Sequence, residues 1–104
     1  GPLRTLYRAV GRNELKSVQS TNPWSYKAGP NGAESKWFSG TLEEVQAWSR
    51  LPFNNPPGKQ YTILSAKIPE GSYTSLGNLP SEGNVYVVHM SDFDKFVDFL
   101  VHHP

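Results

Sequence analysis

The feature that most constrains the fold is a short aromatic segment that runs directly into an amphipathic one. Residues 36–41 read Lys-Trp-Phe-Ser-Gly-Thr, and residues 42–48 follow with a helical apolar pattern. Thr41 suits the N-cap of this helix, and Glu44 lies three residues later, so the two can form a capping box. The pattern therefore predicts a strand that turns sharply into a helix and leaves small hydroxyl side chains at the corner.

The remaining apolar runs are short and are separated by loops rich in Gly, Pro, Asn and Ser. We predict strands at 6–10, 36–39, 60–68 and 84–90, and helices at 13–19, 42–51 and from Ser91 onward, where Asp94 completes a second capping box. The long stretches 20–35 and 69–83 are predicted loops. The expected fold is α+β, with a small mixed sheet or sheets of about four or more short strands and three short helices.

Length and composition restrict the classes of protein. The 104 residues fit one domain, placed at residues 3–104 because Gly1-Pro2 resembles the scar that a site-specific protease leaves on an expression tag. The net charge of +1, without any concentration of Lys or Arg, argues against nucleic-acid binding through a basic stripe. No apolar run approaches the roughly 20 residues of a membrane helix, so no membrane partner is expected. Cysteine is absent and the three histidines lack metal-ligand spacing, so we expect no metal.

An isolated arginine stands inside the first predicted strand. Residues 6–10 read Leu-Tyr-Arg-Ala-Val, which places Arg8 in an apolar setting. Such an arginine is costly to bury unless it is paired or holds an anion, and its planar fork suits phosphate or carboxylate. The alternative, an arginine on the solvent face of a half-exposed strand, fits the sequence as well.

The strand–helix corner offers candidate ligand contacts. Ser39 lacks the partners of a catalytic triad, but hydroxyls at a strand end commonly cap the next helix or hydrogen-bond a ligand. Trp37 and Phe38 should point to opposite faces of the strand, so one of them is expected in the core. The other can stack on a planar heterocycle.

Two of the nine acids occupy positions that can present a carboxylate to a cleft. Glu34 and Glu82 each lie in a glycine-containing loop immediately before a predicted strand. An ordinary solvated loop acid is the alternative reading for both. The other acids have sufficient roles in caps and solvated helix faces, and Glu14 complements the dipole of the first helix.

Three segments taken together resemble the ADP-ribosyltransferase-like toxin domains at the C-termini of bacterial polymorphic toxins, including the Rhs type. They are residues 6–10, residues 29–38 and the helix through Trp48. The resemblance covers residues 5 to about 50, and the remainder only by the order of its elements. It implies an ADP-ribosyltransferase-like fold that cleaves NAD, as substrate, and transfers ADP-ribose to a macromolecule, a protein in preference to RNA. It further implies a domain secreted or delivered as the C-terminal part of a larger toxin. That toxin acts in the cytoplasm of a target bacterium during interbacterial competition and is countered by a cognate immunity protein.

The resemblance also implies residue roles on the NAD side of the site. Arg8, with Tyr7 beside it, corresponds to the strand arginine that binds the phosphate and ribose near the nicotinamide. Ser39 and Thr41 correspond to the Ser/Thr motif that supports the nicotinamide pocket, although Gly40 separates them, and the adjacent Trp37 and Phe38 join this cofactor-binding set. Trp24, Tyr26 or Trp37 can clamp the nicotinamide ring.

The catalytic glutamate of the family has no direct counterpart here. The strand 84–90 begins with Asn84, and the nearest acid is Glu82, two residues earlier. Glu82 is the preferred candidate to stabilise the oxocarbenium-like transition state, and Glu34 is the substitute.

Three other functions remain open from the sequence. An NAD glycohydrolase would use the same pocket without transfer. A ribonuclease toxin would need an acid–base pair, for which His89 and Tyr86 are the available residues. A non-catalytic module would present its aromatic side chains to a partner.

Overall fold

The computed structural model describes residues 2–28, 35–51 and 61–102 of the chain. These residues form an α+β domain, as predicted. The elements in chain order are β1 (Leu3–Val10), α1 (Arg12–Gln19), β2 (Ser35–Ser39), α2 (Leu42–Ser49), β3 (Thr62–Pro69), β4 (Thr74–Leu79), β5 (Gly83–His89), a 3₁₀ helix (Met90–Lys95) and β6 (Val97–His102). Within the described ranges, no helix is long and apolar enough to cross a membrane.

The strands form one six-stranded sheet in the order β4-β5-β2-β1-β3-β6. All registered neighbours in the described part are antiparallel, so the sheet is not mixed. β1 pairs with β3 from Leu3↔Pro69 to Val10↔Thr62, but among the described residues it pairs with β2 at Tyr7↔Ser39 alone. The ladder between β1 and β2 therefore stops one residue before Arg8, at the centre of the sheet.

The hydrophobic core lies on one face of this sheet. Leu6, Leu64 and Val88 are each 0% exposed, and Val18 of α1 covers them from above. Tyr26 lies at the centre of an aromatic cluster, with its ring centroid 5.1–6.2 Å from those of Phe38, Phe93, Phe96 and Phe99. The loop after α1 therefore contributes Tyr26 to the core, where its ring is not available to clamp a ligand.

Helix α2 lies on the opposite face and is fixed at its first turn. Thr41 Oγ1 accepts a hydrogen bond from the Glu44 backbone N–H at 3.1 Å and donates to Glu44 Oε1 at 3.1 Å, which confirms the predicted N-cap. Glu44 Oε2 also accepts from the Asn84 backbone N–H at 2.6 Å. The capping pair thus ties the start of α2 to the start of β5.

Among the described residues, the sequence predicts four of the six strands and both α-helices. The third helix, predicted from Ser91, is wrong: the 3₁₀ helix has His89 as its N-cap, and the chain then extends into β6. Asp98 has a φ of 56°, which is incompatible with a continuing right-handed helix. β4 lies inside the predicted loop 69–83. Its residues are almost all exposed, and Gly77 lies at a bulge. The segment therefore needs no alternating apolar residues, and the sequence carries no strand pattern there.

Helix α1 begins one residue earlier than predicted. Its N-cap is Gly11, which makes no side-chain capping hydrogen bond. Only Gly11 therefore separates the end of β1 from the first turn of α1. This short connection determines which side chains meet beside Arg8.

Candidate ligand cleft beside Arg8

Arg8 is held by hydrogen bonds to two elements. Its Nε donates to Glu14 Oε2 at 2.6 Å and its Nη2 donates to Glu14 Oε1 at 3.1 Å, a bidentate pair. Its Nη1 donates to the carbonyl oxygen of Trp37 at 2.8 Å, across the place where β1 and β2 no longer pair. The Arg8 side chain is 21% exposed, so the solvent-face alternative does not describe it.

The guanidinium of Arg8 keeps some of its donor capacity. An arginine carries five N–H groups, and three of those on Arg8 are used by Glu14 and Trp37. One N–H on Nη1 and one on Nη2 therefore remain to donate. Arg8 is a fixed cation that still has donors for an anion.

Lys36 completes a charged cluster with Arg8 and Glu14. Lys36 Nζ lies 3.7 Å from Glu14 Oε2, and the Lys36 side chain is 12% exposed. Burial alone would raise the pKa of Glu14, but the hydrogen bonds and charge of Arg8, with Lys36, outweigh it and hold that pKa below its ordinary value. Burial lowers the pKa of Lys36, and the nearby Glu14 carboxylate opposes that shift. Two cations against one anion leave the cluster with a net charge of +1.

A large cavity opens at the C-terminal end of β1, and we call it the Arg8 cleft. Its volume is about 1010 Å³, near the upper end of the roughly 300–1,000 Å³ of small-molecule sites. Arg8, Arg12 and Glu14 line one side, while Trp48 and Tyr61 line another, with ring centroids 5.9 Å apart. Glu14 is the one carboxylate among the described lining residues, so two arginines dominate the charge of the cleft.

A smaller cavity lies on the other side of Glu14. It measures about 200 Å³ and is lined by polar side chains that include Ser17, Lys27 and Lys36. Asn13 and Glu14 line both cavities.

The predicted serine corner is close to Arg8 but nearly closed. Ser39 is 6% exposed and lies directly opposite Tyr7. Tyr7, Arg8, Trp37 and Ser39 line a cavity of about 20 Å³, which has room for roughly one water molecule. Arg8 and Ser39 therefore lie near each other on adjacent strands, but their side chains point to opposite faces of the sheet, because Ser39 is registered with Tyr7. The small cavity also leaves no space for a ring.

The other predicted contacts are dispersed. Trp37 is 49% exposed beside the small cavity, whereas Phe38 is 2% exposed in the core. The hydroxyl of Thr41 is engaged by Glu44. Trp24 packs edge-on against Phe99, with ring centroids 6.3 Å apart. Of the predicted aromatic contacts, Trp37 alone combines exposure with proximity to Arg8 in the described part of the chain.

The two predicted catalytic acids do not meet Arg8 in the described structure. Glu82 lies in the turn before β5, three residues before Val85, which is opposite Ser39. It therefore lies about 10 Å along the sheet from the Ser39 row, on the side away from Arg8. Glu34 lies outside the described residues. Its catalytic role and that of Glu82 stay predictions.

Sequence reasoning missed Glu14 as a site residue. It explained this acid by the dipole of α1 alone, whereas the one-residue connection between β1 and α1 brings Glu14 back onto Arg8. An arginine near the end of a strand and an acid in the first turn of the next helix are the signal that could have indicated the pair. Val18 of α1 is buried in the core, so the position of this helix depends on packing against distant strands, which local sequence does not reveal.

A second missed pair lies on the face of the sheet that carries α2. Ser65 Oγ and His102 Nε2 are 2.8 Å apart, and the Tyr7 and His102 rings are 5.7 Å apart. His102 is the last residue of β6, a strand that the sequence pattern does not predict. Ser65 is 4% exposed, so its hydroxyl is inaccessible to a ligand.

The ribonuclease pair is not brought together. Tyr86 points into the core face and accepts a hydrogen bond from Arg4 Nη2 at 2.6 Å, whereas His89 lies three residues along β5, on the opposite face. In the described ranges, no group of three or more His, Asp or Glu side chains is placed to hold a metal ion. Comparison of the chain with known protein families, with curated proteins and with solved structures finds no match.

Proposed function

We propose that this domain is an NAD-dependent mono-ADP-ribosyltransferase toxin domain and that NAD binds in the Arg8 cleft. The observation that supports the proposal most is the position of Arg8: it is fixed at a cavity of about 1010 Å³ and retains two N–H donors. Arg12 adds a second cation to the same cavity. A pyrophosphate offers the charge and the oxygen acceptors that such a pair of arginines binds.

The reaction separates NAD at the bond between the nicotinamide nitrogen and ribose C1′. The electron pair of that bond leaves with nicotinamide, the ribose develops oxocarbenium character, and a nucleophile of the target attacks C1′ and releases its proton. Holding the pyrophosphate with Arg8 and Arg12 fixes the scissile bond in the cleft. Trp48 and Tyr61 supply aromatic surface for a planar ring. By resemblance, the carboxylate that stabilises the ribose cation is Glu82 or Glu34; Glu82 lies towards the Arg4 end of the sheet and does not line the described cleft.

The biological setting of the proposal rests on the resemblance of residues 5–50. The domain is delivered as the C-terminal part of a larger toxin and modifies a macromolecule, a protein in preference to RNA, in the cytoplasm of a competing bacterium. A cognate immunity protein protects the producing cell. NAD is the substrate, and no metal takes part.

The test uses NAD labelled in its adenylate half. Purified domain is incubated with labelled NAD and a bacterial lysate, and label on macromolecules is followed with and without protease. We expect protease-sensitive label with the wild type and none with Arg8→Ala. Arg50→Ala serves as the matched control, because Arg50 is exposed and lies outside the described cavities.

The outcomes separate the competing functions. Free ADP-ribose without labelled macromolecule would identify an NAD glycohydrolase using the same cleft. RNA cleavage in the absence of NAD would favour a ribonuclease. A wild-type domain that neither consumes NAD nor changes its melting temperature in the presence of NAD would overturn the proposal in favour of a binding module.

A further inference from the structure

Resting on the proposed function, we infer that Glu14 is a positioning residue that sets the guanidinium of Arg8 for the pyrophosphate of the ligand. Its role is to hold the plane and direction of the fork, so that the remaining N–H groups on Nη1 and Nη2 are presented to an anion in the cleft. Glu14 acts through Arg8 and does not itself contact the reacting ribose.

The first support is the geometry of the pair. Two parallel hydrogen bonds, at 2.6 and 3.1 Å, fix both the position and the plane of the guanidinium. The third hydrogen bond, from Nη1 to the Trp37 carbonyl at 2.8 Å, restricts the remaining rotation of the Arg8 side chain. An unrestrained arginine loses side-chain freedom when a ligand orders it. Here that ordering takes place on folding, which leaves less to be lost when the ligand binds.

The second support is the charge around the pair. A lone carboxylate would neutralise Arg8 and repel an anion, but Lys36 lies 3.7 Å from the same Glu14 oxygen. The three charges sum to +1, and Arg12 lines the same cleft. Glu14 can therefore orient Arg8 without removing the positive character of the site.

The third support is the placement of Glu14 between two elements. Arg8 belongs to β1 and Lys36 to β2, and these strands pair in the described structure at Tyr7↔Ser39 alone. Glu14, from α1, contacts both cations at the point where the ladder is missing. Where the backbone hydrogen bonds between the two strands are missing, the Glu14 carboxylate connects Arg8 to Lys36.

The inference predicts the direction of a binding change. In isothermal titration with NAD and with inorganic pyrophosphate, Glu14→Gln should weaken both ligands about tenfold, because one acceptor of the bidentate pair becomes a donor. In turnover, KM for NAD should rise while kcat changes little. Glu43→Gln, an exposed acid of α2 outside the described cavities, should behave as the wild type.

A competing role for Glu14 predicts the opposite sign. If Glu14 only blocks Arg8, then Glu14→Gln frees donors, raises the local positive charge and tightens pyrophosphate binding. Unchanged or tighter binding by the folded variant would therefore overturn the inference. Should Glu14→Gln fail to fold, Glu14→Asp keeps the charge but shortens the reach. It should weaken pyrophosphate severalfold, and wild-type affinity in this variant would be equally decisive against positioning.

The two proposals fail in distinguishable ways. If the wild type binds pyrophosphate in a Glu14-dependent manner but leaves NAD intact, the proposed enzyme is wrong and the positioning role stands. If NAD is consumed equally well by wild type and Glu14→Gln, with equal KM, the positioning role is wrong and the enzyme stands. A wild type that binds neither ligand overturns both.

Discussion

Two arginines on the same strand show two different ways of accommodating a cation in this sheet. Arg4 and Arg8 lie four residues apart on the core-facing side of β1, and both are half-buried. Arg8 meets the carboxylate of Glu14 and a backbone carbonyl. Arg4 instead lies over the Tyr86 ring, with Cζ 4.5 Å from its centroid, and donates from Nη2 to the Tyr86 hydroxyl at 2.6 Å.

The difference lies in how many donors are satisfied and where the rest point. Glu14 and the Trp37 carbonyl satisfy three donors of Arg8, and two remain on a residue that lines the cleft. The ring of Tyr86 attracts Arg4 but leaves its Nε buried without a hydrogen-bond partner in the described structure. A buried unsatisfied donor costs about 1–3 kcal/mol. The neighbouring side chains and cavities therefore decide whether a strand arginine can contact a ligand. Of these two arginines, only Arg8 lines the cleft.

The largest expected effect is the contrast between Arg8→Met and Arg4→Met in the free energy of unfolding. Arg8→Met leaves Glu14 partly buried beside Lys36 alone, and we expect a loss of about 2–3 kcal/mol, below the 3–5 of a fully buried pair. Arg4→Met removes an unsatisfied donor and should stay within about 1 kcal/mol of the wild type. Urea unfolding measures both, and equal losses would show that the two environments are energetically the same.

Double-mutant cycles sharpen the same contrast. The cycle with Arg8→Met and Glu14→Gln should give a coupling free energy of about 1–2 kcal/mol, because both partners are half-buried and the pair is bidentate. The cycle with Arg4→Met and Tyr86→Phe should give about 0.5 kcal/mol, because the ring and its attraction for the cation remain. A larger coupling at Tyr86 than at Glu14 would reverse the ranking of the two sites.

Of the two arginine sites, only the Arg8–Glu14 pair should contribute to the loss of stability at acidic pH. The pKa of Glu14 is lowered in the folded state from its ordinary value of 4.5. The resulting stabilisation is present above the unfolded pKa and is lost as the pH falls through the folded pKa. Stability measured from pH 7 to pH 2 should therefore fall less steeply in Glu14→Gln. Arg4→Met should leave the slope unchanged, since Arg4 pairs with no carboxylate in the described structure. A slope that is unaltered in Glu14→Gln would contradict the assignment.

Local signals in the sequence were sufficient for part of the fold. Thr41 and Glu44 are three residues apart and their pairing needs no distant information, so the start of α2 is predicted correctly. Phe93 and Phe96 have helical spacing, but the backbone of Asp98 turns to positive φ and the chain enters β6, where β3 provides the pairing. That outcome depends on a neighbouring strand, which local periodicity cannot reveal.

The candidate site shows the same limit. The apolar context of Arg8 left two readings open, an arginine that is paired or holds an anion and one on the solvent face of the strand, and the ion pair with Glu14 decides for the first. The partner itself depends on the angle between β1 and α1, and on Lys36 arriving from a strand distant in sequence. Whether Glu82 can approach Arg8 depends on the register of the strands. That register places Glu82 at the end of the sheet where Arg4 lies.

The smallest expected effect concerns a second unsatisfied group, on the Arg8 side of the core. The Tyr26 hydroxyl is buried without a hydrogen-bond partner in the described structure. Burial raises the pKa of this hydroxyl, while the charge of Arg8 lowers that pKa and the charge of Glu14 raises it. Tyr26→Phe keeps the contacts with the surrounding rings and removes the unpaired hydroxyl, so stability should be unchanged or rise by up to about 1 kcal/mol in urea unfolding. A loss of more than about 1 kcal/mol would mean that the hydroxyl makes a bond in solution. Among the described residues, Arg4 Nε would then be the one buried polar side-chain atom left without a hydrogen-bond partner.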